Sequence, residues 1–357
     1  MIALFETDHK NINRYYLIHD EIRKQYNSNN VLVIFDSLKE KNRFSKINKN
    51  KSDYLFNLSK HINEIEVLII NANRIPDIYI STIAKKKGIP IIYIQHGPHS
   101  IKKPRNLKFY ISKFLKVINH LYILAKTSFE LNSFLFLYKT LLVQFIKGGS
   151  RVNSLTKFYS PDISYVFSEY YRNWHKNYYF GHFTKYKLIR NNDSLLKNVF
   201  FNNHLIFCHQ TLVEDGRIAF EIFKIQLESI KEFGKINSLD LCVKSHPRMS
   251  VKLRNYYLNN NWIIHDDIKT IPIGEVTVGF YSSLLSLWAY NNKPVISLKL
   301  PIKEDMPAEI SEYCFCTDSN KIKNLKLEKV LNNLNFNKVS KKADYFFNFT
   351  GDQIFKF

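Results

Sequence analysis

The 357-residue sequence lacks the motifs that identify several common classes of protein. It contains neither G-x-x-x-x-G-K-[ST] nor G-x-G-x-x-G, so a P-loop ATPase and a dinucleotide-binding enzyme are both unsupported. Its four cysteines show no spacing typical of a zinc site or a disulfide framework, which indicates a reducing compartment. No internal repeat with a period of about 20–50 residues is present, so a solenoid is not expected.

Long hydrophobic runs are also missing. The longest, residues 134–146, is interrupted by Lys139 and is too short to span a bilayer. The first ten residues reach acidic side chains too early for a signal peptide. We therefore expect a cytoplasmic location.

Acidic residues are few: 31 Asp and Glu stand against 52 Lys and Arg, which leaves a net charge of +21. Such a balance favours an anionic partner, either nucleic acid, a membrane or an acidic substrate, although lysine spread over the whole surface gives the same total. Residues 101–150 carry nine basic residues and one acid among many large apolar side chains. This pattern predicts peripheral contact with the inner face of an anionic cytoplasmic membrane. Two ordinary helices with lysines reaching to solvent are the alternative.

Short apolar runs alternate with segments of helical periodicity in both halves of the chain. This alternation predicts an α/β protein with parallel sheets covered by helices on both faces. We predict a first domain over residues 1–195, which includes the segment 101–150, and a second domain over 196–357. The linker falls within residues 182–203, and the last helix is expected to pack back on the first domain.

Polar clusters follow five of the predicted strands. Ligands of such sheets bind beyond the carboxyl ends of the strands, which is also where ordinary loops lie. The clusters are QHGPH (95–99), VEDG (213–216), KSHP (244–247), GFYSSL (279–284) and KEDMPAE (303–309).

The cluster after Gly279 predicts a phosphate site. Ser282 and Ser283 precede an apolar helical run, and a helix start offers backbone N–H groups beside two hydroxyls. The alternative is that a serine caps the helix without binding a ligand.

His246 follows the apolar run that ends at Lys244. Pro247 restricts the backbone of His246 to extended conformations, which fixes the direction of its side chain. With Lys244 and Arg248 nearby, His246 could hold a phosphate and stabilise it as a leaving group. Taken alone, a His-Pro pair is more often only a turn.

Glu214 and Asp215 lie between a strand and the helix that begins near Arg217. One of them could act as a general base, because neighbouring carboxylates raise each other's pKa. The alternative is an acid that stabilises the helix N-terminus.

Taken together, the acidic-acidic-Gly, His-Pro and Ser-Ser motifs resemble those of bacterial sialyltransferases and polysialyltransferases that use CMP-sugars. The resemblance covers mainly residues 205–300, and each motif is short. It implies the GT-B fold, in which two Rossmann-like domains face each other across a cleft. It also implies an inverting, metal-independent glycosyltransferase without a cofactor, and the sequence contains no convincing D-x-D metal motif.

The resemblance implies a role for each motif. Asp215 matches the general base, with Glu214 as the alternative, and His246 matches the residue that contacts the CMP phosphate. Ser282 and Ser283 match the serines that hold this phosphate. One departure affects the base: only 31 residues separate Asp215 from His246, whereas some relatives supply the acidic motif from the N-terminal domain.

Gln95, His96 and Gly97 resemble a strand ending of capsule and teichoic-acid polymerases. This implies that they hold the acceptor, while a tight turn at Gly97 is an equally good interpretation. The partners expected overall are a CMP-nonulosonate donor, a glycan or glycolipid acceptor of capsule or lipooligosaccharide, and an anionic membrane. Nucleic acid is not expected.

Three alternatives to a sialyltransferase-like enzyme stay open. A CDP-polyol phosphotransferase or a Kdo transferase of surface polysaccharide synthesis would share the histidine and the phosphate site. A basic nucleic-acid-binding protein would account for the charge, but no recognised nucleic-acid motif is present.

Overall fold

In this computed structural model, the structure describes residues 2–6, 31–35, 62–95, 125, 127–129, 131–132, 152, 154–191, 196–299 and 308–351. Nearly all of the basic segment 101–150 lies outside the described residues, so its contact with a membrane stays a prediction. Within the part of the chain that the structure describes, no helix is long and apolar enough to cross a membrane.

Two six-stranded sheets, both parallel throughout, form the framework of the chain. The strands of the first are β1 Ile2–Glu6, β2 Val31–Phe35, β3 Val67–Ile70, β4 Ile91–Ile94, β5 Ile163–Val166 and β6 Lys185–Leu188. The strands of the second are β8 His204–Cys208, β9 Asp240–Lys244, β10 Ile263–His265, β12 Val276–Gly279, β13 Val295–Lys299 and β14 Phe315–Asp318. The predicted α/β class with parallel sheets is therefore confirmed.

Two further strands form a small parallel pair, β7 Lys197–Phe200 with β11 Thr270–Ile273. The stretch 182–203 was predicted to be a linker, but it contains β6 and β7. Strand β6 is an edge strand of the first sheet, paired with β5. Its polar, lysine-rich sequence suits an edge, where three of its four residues are exposed.

Eight α-helices lie within the described ranges. They are α1 Ile75–Lys86, α2 Glu169–Tyr178, α3 Phe220–Ile236, α4 Val251–Asn259, α5 Leu285–Tyr290, α6 Ala308–Tyr313, α7 Leu327–Asn333 and α8 Phe336–Phe347. Ser168 caps α2 as its sequence predicts, since its side chain accepts a hydrogen bond from the Tyr171 N–H. Helix α3 buries the apolar face formed by Phe223, Leu227, Ile230 and Phe233.

The order of strands in the second sheet is β10-β9-β8-β12-β13-β14. The chain starts at β8, builds outward to β10 on one side and then returns to continue from β12 on the other. Strands β8 and β12 therefore flank the point at which the strand order reverses, which is where nucleotide ligands of doubly wound sheets bind. Large apolar side chains fill the core around these strands, among them Phe207, Trp288 and Phe280.

Contacts divide the chain into two compact units, and the described residues change from one to the other between Ile189 and Arg190. The sequence placed the boundary at residue 195. Helix α8 packs against α5 and α6 of the second unit. The acceptor and nucleotide roles of the two domains, and the packing of the last helix on the first domain, stay predictions.

Candidate functional site

The ends of three neighbouring strands bring the three sequence motifs to one edge of the second sheet. Cys208 at the end of β8 pairs with Gly279 of β12 on one side and with Lys244 of β9 on the other. These three residues end their strands at the same level, so the loops that follow emerge side by side. They carry the acidic motif, the Ser-Ser motif and the His-Pro motif, in the order of strands β8, β12 and β9.

Gly279 is required by close packing at this edge. A Cβ atom added there would lie 2.9 Å from Leu285 Cδ2 and 3.3 Å from Cys208 Cβ. Both distances are tighter than ordinary van der Waals contact, so a side chain would force β12 and the start of α5 apart. The glycine thus keeps the Ser-Ser loop close to the end of β8.

The Ser-Ser motif forms a turn before a short helix. Helix α5 begins at Leu285 and has six residues, within the helical run that the sequence predicts after Ser283. Ser282 Oγ accepts a hydrogen bond of 3.3 Å from the Leu284 N–H. Within the described residues, the backbone N–H groups of Ser282 and Ser283 and the Ser283 hydroxyl make no hydrogen bond. This turn therefore presents donor groups that an anion can use.

His246 occupies the first position of a tight turn. Its carbonyl accepts a hydrogen bond of 2.8 Å from the Met249 N–H, with Pro247 and Arg248 at the central positions. The Arg248 N–H also donates to His246 Nδ1 at 3.1 Å. An accepting Nδ1 carries no proton, so a neutral ring has its proton on Nε2, a hydrogen-bond donor. The turn interpretation and the site interpretation of His246 are therefore compatible.

Lys244 does not extend toward the His-Pro turn. Its side chain is buried, and its ammonium group donates to the backbone carbonyl of Asp267. Burial is the main cause that lowers the pKa of Lys244. Its role as a phosphate contact stays a prediction, and the contact seen in the structure is with the loop after β10.

Asp215 and Arg248 form an ion pair between the loop after β8 and the loop after β9. Arg248 Nη1 lies 2.8 Å from Asp215 Oδ1, and Nη2 lies 3.4 Å from Oδ2. Thr211 joins the pair, because its hydroxyl accepts from Arg248 Nη2 at 2.9 Å and donates to Asp215 Oδ2 at 3.0 Å. A guanidinium held on two sides in this way is fixed in orientation.

Glu214 points to the other side of the acidic loop. Its Oε1 accepts a hydrogen bond of 2.8 Å from the Ser250 N–H and lies 3.5 Å from Nε2 of the buried His209. On the far side of His209, Nδ1 lies 3.0 Å from the hydroxyl of the fully buried Tyr257. The result is a chain of polar groups that runs from the core to the start of α4.

Both acidic residues have lowered pKa values, so the expectation that they raise each other's pKa is wrong. Burial alone would raise the pKa of Glu214, but the nearby His209 ring and the hydrogen bond from the Ser250 N–H outweigh it and lower the pKa from 4.5 to about 2. For Asp215, burial is likewise outweighed, chiefly by the hydrogen bond and charge of Arg248. The two carboxylates face different partners, which separates their charges.

His209 and Tyr257 are members of this network that the sequence motifs did not identify. His209 was included in the strand HLIFCHQ, yet it is the first residue after β8 and so lies at the edge where ligands bind. Its position at the end of a predicted strand could therefore have identified His209 as a candidate site residue. Tyr257 lies in the middle of α4, and nothing in its sequence neighbourhood distinguishes it from a core tyrosine.

In the first unit, the structure describes one residue of the QHGPH cluster, Gln95, and its side chain stabilises the sheet. Gln95 is buried, and its side-chain oxygen accepts a hydrogen bond of 3.0 Å from the Phe167 N–H. His96 and Gly97 lie outside the described residues, as do residues 303–307 of the fifth cluster. The acceptor role of residues 95–97 stays a prediction.

Metal-ligating clusters are not found among the residues that the structure describes. Asp266 and Asp267, the adjacent acids most similar to a metal motif, have protein partners. Asp266 pairs with Arg254 at 2.5 Å and accepts from Ser245 Oγ at 2.6 Å. Asp267 accepts hydrogen bonds from Lys269 and Thr270.

Comparison with solved structures identifies the fold. The glycotransferase of kitacinnamycin is 10% identical with a TM-score of 0.50, and the match covers 98% of this chain and 95% of that one. UDP-GlcNAc 2-epimerase from Methanocaldococcus jannaschii is 14% identical with a TM-score of 0.48, covering 98% and 97%. A spinosyn rhamnosyltransferase complexed with thymidine diphosphate is 7% identical with a TM-score of 0.47, covering 98% and 95%.

No protein-family model matches the sequence, and no curated protein matches it significantly. At such low identity the structural likeness concerns the fold alone. The chain is an α/β protein with parallel sheets and a GT-B-like fold, as its sequence predicts.

Proposed function

We propose that this protein is a glycosyltransferase that transfers a sugar from a nucleotide donor, with the donor phosphate bound at the edge formed by β9, β8 and β12. The observation that carries this proposal is the common level at which Lys244, Cys208 and Gly279 end their strands. That register gathers three motifs, widely spaced in sequence, at the reversal of strand order. Nucleotides bind at such points in doubly wound sheets.

The leaving group is assigned to His246 and the Ser-Ser turn. A departing nucleotide accumulates negative charge on its phosphate, and donors already aimed at that charge lower the barrier. The groups proposed for this role are the Nε2–H of His246, the backbone N–H groups of Ser282 and Ser283 and the Ser283 hydroxyl.

The donor proposed is a CMP-activated nonulosonic acid, such as sialic acid or a relative, and the acceptor is a glycan of capsule or lipooligosaccharide. This choice rests on the resemblance of the three short motifs to those of bacterial sialyltransferases. The reaction is proposed to invert the anomeric centre without a metal ion. Asp215 is the base that the resemblance suggests, although its pairing with Arg248 favours a different role.

A screen of donors tests the proposal. The protein is incubated with CMP-, CDP-, UDP- and TDP-sugars, and release of the nucleotide is measured with and without a glycan acceptor. Release of CMP from a CMP-nonulosonate supports the full proposal. Release of UDP or TDP alone would support a glycosyltransferase but contradict the choice of a CMP-sugar as donor. If no donor releases its nucleotide, the proposal that the protein is a glycosyltransferase is wrong.

Thermal melting provides an independent check of nucleotide binding. A protein that binds CMP at this edge melts at a higher temperature when CMP is present, because the ligand binds the folded state only. The comparison variant is Ser283→Ala, which removes one proposed donor to the phosphate and should give a smaller rise in melting temperature. If no cytidine nucleotide raises the melting temperature of the wild-type protein, a CMP-sugar is not its donor.

A further inference from the structure

The His-Pro turn is held from two sides by the acidic motif. On one side the side chain of Arg248, within the turn, binds Asp215 and Thr211. On the other side the Ser250 N–H, just after the turn, donates to Glu214. Both acids belong to the loop after β8, while the turn follows β9, so two charged contacts join two separate loops.

These contacts act on the imidazole of His246 through the backbone. The N–H that fixes His246 Nδ1 belongs to Arg248, the residue whose guanidinium Asp215 holds. Any rotation of the Arg248 backbone would move this N–H away from Nδ1. The contact that fixes Nδ1 and the ion pair with Asp215 are therefore made by the same residue.

Arg248 gives up a hydrogen bond to occupy this position. Its Nε is buried and makes no hydrogen bond within the described part of the chain. An unpaired buried donor destabilises a structure, so the contacts of the two terminal nitrogens must offset it. The two terminal nitrogens, which bind Asp215 and Thr211, therefore make the side-chain contacts of Arg248.

The same contacts make Asp215 a poor proton acceptor. A general base needs an accessible lone pair and a pKa near the working pH. Both oxygens of Asp215 accept hydrogen bonds from Arg248, and Oδ2 accepts another from Thr211. Each of these hydrogen bonds stabilises the charged carboxylate and so weakens Asp215 as a proton acceptor.

We propose that Asp215 is a positioning residue that holds the His-Pro turn through Arg248 and Thr211, and so directs Nε2–H of His246 at the donor phosphate. Glu214 supports the same turn through Ser250. The acidic motif of this chain thus serves the leaving group by holding the His-Pro turn. This inference rests on the proposed function for its catalytic meaning, but its structural part can be measured without activity.

The first experiment is a cycle of Asp215→Asn, Arg248→Gln and the double variant, read by nucleotide release. If the pair positions His246, each single variant lowers kcat by about 10–100-fold, since small displacements of a catalytic group have costs of this size. The double variant should then be no slower than the slower single variant, because the pair acts as a unit. If Asp215 is the base, Asp215→Asn should be as damaging in the Arg248→Gln background as in the wild type, and the proposal is overturned.

The second readout is the tautomer of His246, measured by long-range proton–nitrogen NMR on the full-length protein at a pH where the ring is neutral. Wild type should show a proton on Nε2 and a bare Nδ1. Asp215→Asn and Arg248→Gln should show a mixture of tautomers, while His246 signals unchanged from wild type in both would overturn the proposal. This result does not depend on finding a substrate, so failure of the proposed function is recognised separately.

Two further variants guard against misfolding and nonspecific effects. Thr211→Val removes the hydroxyl that joins the pair without removing a charge, and it should disturb the His246 tautomer in the same direction. Asp318→Asn is the matched control, because it breaks an ion pair with Lys321 at the end of β14, on the far side of the same sheet. It should leave both the tautomer and kcat unchanged; an equal effect there would show that any lost ion pair has the same consequence.

Discussion

The two parallel sheets have the same number of strands and use their strand ends differently. In the described part of the first sheet, polar residues after the strands hold their own scaffold. Gln95 binds the backbone after β5, and Asp77 binds Arg74 to close the first turn of α1. In the second sheet, charged residues after β8 bind residues of the loop after β9. A shared topology therefore does not decide which strand ends carry chemistry; the side chains that connect one loop to another do.

The largest expected effect is on turnover, and it distinguishes a histidine at the carboxyl end of the second sheet from one at the opposite end. His246→Ala should lower turnover by a factor on the order of 10²–10⁴ if the ring assists the leaving group. The control is His204→Ala at the start of β8, where the ring bonds only locally to the Asn202 carbonyl in this structure. Steady-state nucleotide release is the measurement. Equal rates in the two variants would show that His246 forms a turn and has no part in catalysis.

The loop that carries Glu214 should make the stability of the fold depend on pH. Since the pKa of Glu214 is lowered to about 2 from 4.5, its charge stabilises the fold above pH 4.5, and this contribution disappears as the pH falls toward 2. Its size is about 3 kcal/mol. Denaturant unfolding of wild type and Glu214→Gln should differ at pH 7, and the difference should shrink below pH 4.5.

Glu232→Gln provides the control for this acid response, because Glu232 is exposed on α3. Its difference from wild type should stay small at every pH. A difference for Glu214→Gln that is constant from pH 7 to pH 3 would contradict the structure, since it would show that the carboxylate charge is not what the loop depends on.

In the first sheet we expect a loss of stability without a loss of binding. Asp77 is buried, and its carboxylate accepts hydrogen bonds of 2.8 Å from both the N–H and the Nε of Arg74. Asp77→Asn should reduce the free energy of unfolding by about 2 kcal/mol, because a charged hydrogen-bonded pair becomes a neutral one. Calorimetric titration should find nucleotide affinity unchanged. If Asp77→Asn weakens nucleotide binding and leaves stability unchanged, the first sheet has a binding role and the proposed difference between the two sheets is wrong.

The smallest effect concerns the Ser-Ser turn. Ser283→Ala removes a hydroxyl that the fold does not use within the described residues, so it should leave the melting temperature unchanged. The variant should weaken nucleotide binding by about 5–10-fold, the value of one hydrogen bond. Ser229→Ala, on α3, removes a hydroxyl bonded to the Ile225 carbonyl and serves as the control. Identical affinities for both variants would exclude the Ser283 hydroxyl from the phosphate site.

Much of this architecture could be predicted locally. The run HLIFC predicts a buried strand, and the spacing of Phe223, Leu227 and Ile230 predicts a helix with one apolar face, because both patterns repeat with the period of their backbone. The apolar run after Ser283 forms α5, but the two serines form a turn and do not cap the helix. The lowered pKa values of Glu214 and Asp215 could not be predicted, because they depend in part on donors more than 30 residues away, the Ser250 N–H and Arg248.

By itself, then, the sequence determined most of the strands, several helices, the parallel α/β class and the positions of three motifs after strand ends. These follow from periodicity and residue preference, which act over a few residues. Only the tertiary structure decided that β12 lies beside β8, that the two neighbouring acids face different partners and that Asp215 meets Arg248. Strand order and charge pairing join distant parts of the chain, and the free energy that selects them comes from packing and desolvation of the whole sheet.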